Sequence, residues 1–307
     1  MATERGYPKD PGLQARMGLT MFLLGLLYVV FIGVLIAVGV SYGLIIVIAG
    51  GLLFAQYYFS DKIALFSMHA REVSPQEAPE LHAIVDRLCA LADMPKPRVA
   101  IAETDIPNAF ATGRSPKAAV VCATTGIMRR LEPQELEAVL SHELSHVAHR
   151  DVAVMTFASF LGVLAGMITR FTLYAGMFGG GYGGGGDRED NGAGAVAAIM
   201  LVSILVYAIS FLLTRALSRY RELSADRSGA LLIGAPSVLA SALTKVTGVM
   251  GQIPTRDLRS AEAFNAFFFA PALAPGFSIS TLFSTHPSLE KRLEQLARLE
   301  QQMRHQG

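Results

Sequence analysis

The sequence predicts a mainly α-helical integral membrane protein, with four transmembrane helices and a polar α+β part containing a small β-sheet. Three observations predict it. Of 307 residues, 52% are hydrophobic and only 17% charged, well below the roughly one quarter charged that soluble domains carry. Four apolar runs account for the difference: Met17 to Val40, Tyr42 to Phe59, Val152 to Thr169 and Ala193 to Leu213. Each approaches or exceeds the ~18 residues that cross a bilayer core. The remaining sequence shows the alternating helical and strand-like patterns of a folded polar domain.

In chain order, residues 1–16 form a polar tail carrying Arg5, Lys9 and Arg16. Residues 17–59 form a transmembrane hairpin closed by the uncharged turn GVSYG. The first run is longer than the roughly 7–15 apolar residues of a signal peptide, so it reads as a span. The polar segment 60–151 follows. Pro75 to Ala92 reads as an amphipathic helix, with Leu81, Ile84, Val85, Leu88 and Leu91 at helical spacing, and MPKP ends it. RVAIAE (Arg98 to Glu103) and AAVVCA (Ala118 to Ala123) read as short strands, joined by the turn-rich IPNAFATGRSPK. Pro133 suits the first turn of a helix. Gln134 to Arg150 reads as a helix running straight into span three. Residues 152–213 hold spans three and four around the glycine-rich loop 176–192, which reads as a flexible tether. Residues 214–307 complete the polar part.

Orientation follows from basic residues at the span ends. Lys62 and Arg71 follow span two, Arg150 precedes span three, and Arg215, Arg219 and Arg221 follow span four. The loop between spans three and four offsets Arg170 and Arg188 with Asp187, Glu189 and Asp190. Both termini and both large polar segments are therefore expected in the cytoplasm. A net charge of +1 gives no basic field for nucleic acid. Cys89 and Cys122 fit no metal spacing and read as reduced packing residues.

Within VLSHELSHVAHRD, His142 and His146 lie one turn apart, ~5.4 Å along one helical face. Both imidazoles can reach one metal ion, and Glu143 projects beside them without having to ligate. This H-E-x-x-H pattern suits two neutral nitrogen ligands and a carboxylate that takes a proton from water. His149 lies ~10.5 Å from His142 along the axis. It either serves nearby polar groups or is incidental, so a third ligand must come from elsewhere.

Helix rise suggests where. His142 and His146 stand about 15 and 9 Å before span three, and Glu222 about 13.5 Å beyond Leu213, if both helices continue unbroken. No glycine or proline follows until Gly229. Two such helices leaving the membrane on one side would hold His142, His146 and Glu222 at one height. Asp226, one turn beyond Glu222, could accept the outer N–H of a ligating histidine. The competing reading of RELSAD is a solvated charged face.

HELSH followed by RD, then RELSADRSGA, resembles the HtpX-type membrane-bound zinc metallopeptidases, relatives of the CAAX prenyl proteases. NAFATG (Asn108 to Gly113) and THPSLEKRL (Thr285 to Leu293) are similar as well. The resemblance covers most of the polar part. It implies a cytoplasmic α+β gluzincin-like metallopeptidase domain and one Zn2+ per chain held by His142, His146 and Glu222. Glu143 is then the catalytic acid/base and Asp226 stands behind a ligand. It further implies a bacterial or archaeal inner or plasma membrane, protein or peptide substrates that are chiefly membrane proteins, and a part in quality control under stress.

Glu143 would take a proton from the attacking water and pass it to the departing amine. His286 is the candidate second donor to the developing oxyanion, although His286-Pro287 reads equally as a helix start. Asn108 and Ala109 are candidate substrate contacts, through a strand edge that pairs with an extended peptide; a connecting turn is the competing reading. The sequence leaves three functions open: a broad membrane endopeptidase, a narrower processing peptidase of the prenyl-protease kind, and a non-catalytic metal-binding scaffold. A structural metal site has no need of Glu143, which speaks against the last.

Overall fold

The computed structural model describes residues 11–37, 42–178, 189–250 and 286–306. The N-terminal tail, most of the GVSYG turn and the core of the glycine-rich loop lie outside the described residues, as does PALAPGF (residues 271–277), which in sequence reads as a loop that either covers the cleft or merely connects. The chain divides into two compact units, one of Gln14–Tyr57 with Val154–Leu217, the other of the flanking segments Met1–Leu13, Tyr58–Ala153 and Ser218–Gly307.

The first unit is helical. It holds most of α1 (Pro11–Ala37) and α2 (Tyr42–Tyr58), with long parts of α7 (Asp151–Phe178) and α8 (Glu189–Ile233). Leu24, Phe31, Leu35, Phe160, Leu161 and Val206 pack inward. Phe22, Val29, Val47 and Leu201 lie on the outside. A surface this apolar, on helices this long, suits a hydrocarbon environment. Gln56 Nε2 donates to Ser159 Oγ (3.2 Å) and Thr214 Oγ1 to the Ala158 carbonyl (3.1 Å), so these polar groups are satisfied inside the bundle. Among the described residues, three helices are long and apolar enough to cross a membrane: Gln14–Ala37, Ala153–Arg170 and Ala197–Ile233. The second expected span, α2, has the composition, but at 17 residues it stands at the lower limit of length.

The second unit contains a four-stranded sheet of order β1-β2-β4-β3. Its strands are β1 (Ala70–Glu72), β2 (Arg98–Ala102), β3 (Ala109–Thr112) and β4 (Val120–Thr124). The central pair is parallel and both edge pairs antiparallel. The connection IPNAFATGRSPK thus contains an edge strand, β3. Helix α3 (Ser60–Ser67) precedes β1. Helix α4 begins at Pro79 rather than Pro75 and runs to Ala92. The Ser74 N–H and hydroxyl both donate to Glu77 (2.7 and 2.8 Å), which ties the intervening residues into a turn. Leu81, Val85, Leu88 and Cys89 of α4 join Leu136, Val139, Leu140 and Leu144 of α6 (Pro133–Ala148) in one core. Helices α9 (Pro236–Met250) and α10 (Leu289–Gln306) contribute Leu239, Leu243, Val246, Leu296 and Leu299.

The expected continuous helix through residue 150 is corrected. Helix α6 stops at Ala148, His149 caps it, and Arg150 takes φ 57°. That left-handed turn costs a non-glycine residue roughly 1–2 kcal/mol, and α7 starts afresh at Asp151. Glu222, by contrast, stands on an unbroken α8 that continues through Gly229 to Ile233.

Candidate metal centre

Helix α6 starts sharply. Pro133 occupies its first turn, and Glu132 and Glu135 form a reciprocal capping box. From that start the helix buries nearly every residue from Glu135 to Val147, so its polar side chains must find partners inside the protein. Helix α8 crosses it at very close range. A Cβ on Gly229 would lie 2.8 Å from the His142 nitrogen and 2.9 Å from its Cα. Ser141 Oγ donates to the Gly229 carbonyl at 3.0 Å. The absent side chain at 229 lets the two backbones approach, and the approach brings Glu222 to the histidines.

The resulting cluster is buried and compact. His142 Nε2 and His146 Nε2 face each other at 3.3 Å. Glu222 Oε1 lies 3.4 Å from His146 Nε2 and Glu222 Oε2 lies 3.6 Å from His142 Nε2. Vertices of a tetrahedron with bonds of 2.0–2.1 Å stand about 3.3–3.4 Å apart. The two imidazole nitrogens therefore stand at the spacing of two corners of a zinc site, with a Glu222 oxygen 3.4 or 3.6 Å from each, and two imidazoles with one carboxylate form a donor set that zinc takes.

The outer nitrogens are fixed as well. His142 Nδ1 lies 2.9 Å from Asp226 Oδ1 and His146 Nδ1 lies 2.6 Å from Asp151 Oδ2. Each carboxylate accepts a hydrogen bond from Nδ1–H, which leaves an Nε2 lone pair aimed into the cluster. Asp226 is gripped in turn by Arg292, whose Nε and Nη2 donate at 2.7 and 2.6 Å. Asp151 lies 3.0 Å from Arg221 Nε. Burial pushes the Asp151 carboxyl up, but Arg221 and His146 outweigh it and hold the group at about 2. Around the cluster, the buried carboxylates Glu143, Asp151, Glu222 and Asp226 outnumber the buried guanidiniums Arg221 and Arg292 two to one. A divalent cation would offset this excess of buried acids.

Glu143 follows the first histidine and stays out of the triangle. Its Oε2 accepts the Ala111 N–H at 3.2 Å, and burial raises its carboxyl above the usual range, against the opposing pull of His142 and His146. A carboxyl so placed can receive and release a proton. Asn108 is fully buried beside the sheet: its N–H donates to Thr124 Oγ1 (2.9 Å) and its carbonyl accepts the Thr124 N–H (2.9 Å). Strand alternation then turns the main-chain groups of Ala109 and Ala111 to the free edge of β3. His286 Nδ1 lies 3.1 Å from Glu222 Oε2. His149 is outside the cluster, which among the described residues is His142, His146 and Glu222.

Sequence reasoning missed Asp151, Arg221 and Arg292. The RD that follows HELSHVAH is the signal that marks Asp151, and the last arginine of THPSLEKR is Arg292.

Comparison with known proteins carries this geometry to a class. The chain is 60% identical over 293 residues to Protease HtpX homolog 1 of Streptomyces coelicolor, covering 95% of this chain and 94% of that protein. It is 42% identical over 301 residues to a Protease HtpX homolog of Pyrococcus furiosus, covering 95% and 98%. By these relatives, and with the buried His142, His146 and Glu222 in a chain that also carries long apolar helices, it is a membrane-bound zinc metalloprotease. It belongs to peptidase family M48, whose sequence model matches residues 75–300. The crystal structure of S. mikatae Ste24p shares the fold, with a TM-score of 0.54 at 17% identity over 94% of this chain and 67% of that one.

Proposed function

We propose that the protein is an endopeptidase that cuts membrane or misfolded proteins at the cytoplasmic face of a four-span membrane domain. The observation that carries the reading is the triangle of His142, His146 and Glu222 with Glu143 beside it and the edge of β3 alongside. His142, His146 and Glu222 would hold one zinc ion per chain, with Asp226 and Asp151 fixing the rings, and the ion would supply Lewis acidity there. Glu143 takes a proton from the attacking water and delivers it to the leaving amine. Its bond from Ala111 holds the carboxylate at the strand edge. An extended peptide adds there as a further strand, so recognition rests on main-chain hydrogen bonds more than on side chains. Asn108 and Ala109 stand at the head of that edge as substrate contacts. His286, with Nδ1 3.1 Å from Glu222 Oε2, is the proposed donor to the developing oxyanion, a role its Nε2 fills only when the ring is doubly protonated.

The test is Glu143→Gln in purified, zinc-loaded protein. Zinc stoichiometry should stay at one per chain while cleavage of an unstructured membrane substrate falls by about 10²–10⁴-fold. Cleavage at the parent rate would remove Glu143 from the role.

A further inference from the structure

Helix α3 (Ser60–Ser67) has its polarity reversed for a helix in water. Its carboxylate, Asp61, is buried and accepts from Arg98 Nη2 at 2.6 Å. Ala64 is buried too, against Ala100, Phe110 and Val120 of the sheet. The outward face carries Phe59 just before the helix, then Ile63 and Phe66, at the i, i+4, i+7 spacing of one stripe. These are 39%, 50% and 84% exposed. Lys62 shares that face, with its Nζ 5.7 Å from the Phe59 ring centre. A soluble helix turns its carboxylates out and its aromatics in; α3 buries Asp61 and turns Phe66 out.

We propose that this stripe lies in the lipid headgroup region and seats α3 on the bilayer surface. Three observations choose lipid as the occupant. The chain passes from the apolar, uncharged α2 into α3 within two residues, through Tyr57, Tyr58 and Phe59. Aromatic residues with an adjacent lysine mark membrane–water interfaces. Lys62 can lay its alkyl stem on the apolar stripe and place its ammonium among lipid phosphates. A face of three apolar side chains is also far short of the ~800 Å² per partner of a stable protein interface. Arg98, by holding Asp61, keeps the stripe turned outward. The inference rests on α2 being a bilayer span, and the experiment separates the two.

The chain contains no tryptophan, so Phe66→Trp creates a single fluorophore in the full-length protein. It is reconstituted into phosphatidylcholine vesicles whose acyl chains carry bromine either near the headgroup or near the chain end. Phe54→Trp, on exposed α2, and Leu91→Trp, on the exposed side of α4, serve as references. Shallow bromine should quench Phe66→Trp by about half, and more strongly than deep bromine does. Phe54→Trp should be quenched, and Leu91→Trp should not. Phe66→Trp emission as unquenched as that of Leu91→Trp overturns the proposal, even if it is blue-shifted, since a protein surface would then cover the stripe. If Phe54→Trp is quenched in that case, α2 stands as a span and only the docking face fails. If neither is quenched, the span reading fails with it.

Discussion

At the scale of single residues, the metal centre depends on carboxylates that touch no metal position. Asp226 was legible because it lies one helical turn beyond Glu222 and so shares its face. Asp151 was not. Five residues after His146 on a continuous helix, it would project from a different side, and only the left-handed turn at Arg150 returns it to His146 Nδ1. Its position in the first turn of α7 suggests a plainer role, favourable placement near a helix N-terminus. Asp151→Asn separates the two. An amide can offer its NH2 group to Nδ1, which favours the wrong tautomer and spoils the ligand. If Asp151 orients His146, zinc affinity should fall by about 10–100-fold in competition with a chelator while the helical content is kept. Parent-level affinity would leave Asp151 as a helix-end acid. Arg292 and Arg221 were illegible for a different reason: nothing in a local window tells which buried acid a guanidinium reaches.

At the scale of elements, two devices hold α6 in place. One is the approach of α8 at Gly229. A glycine there reads in sequence as a stop, yet α8 runs on through it, and its role is the absent Cβ. Gly229→Ala should destabilise the protein by about 1–3 kcal/mol, since backbone atoms cannot swing aside as a side chain can. It should also lower zinc retention by pushing α8 away from His142. An unchanged melting temperature with full zinc would show that the helices have room. The second device is Glu135 at the start of α6. Burial pushes its carboxyl up, but Lys245 Nζ (2.8 Å), Ser241 Oγ (2.7 Å) and the Glu132 N–H (3.0 Å) bring it below the ordinary value. A depressed folded-state pKa stabilises above the unfolded value and loses that contribution as pH falls through the lower folded one. Glu135→Gln should therefore be less stable than the parent by about 1–2 kcal/mol at neutral pH. The gap should close as the pH drops below about 4.5, the ordinary carboxyl value. A gap independent of pH would assign the loss to packing.

At the scale of the whole molecule, the proposed four spans and cytoplasmic site make a labelling prediction. Cys89 and Cys122 are buried, so a cysteine introduced at exposed Leu91 is the one that reacts. A membrane-impermeant maleimide should label it in inverted membrane vesicles and leave it untouched in intact cells. Labelling of intact cells would reverse the orientation. The sequence by itself determined the apolar helices, the histidine pair on one face of α6, and the shared helical face of Glu222 and Asp226. Each follows from composition or from a helical repeat fixed by covalent geometry over a few residues. Only the tertiary structure decided the break at His149 and Arg150, the arginines behind the two aspartates, the edge strand beside Glu143 and the inverted face of α3. Those features lie in contacts between segments far apart in the chain. A left-handed arginine or an outward phenylalanine is unfavourable in its own window, and only partners elsewhere stabilise it.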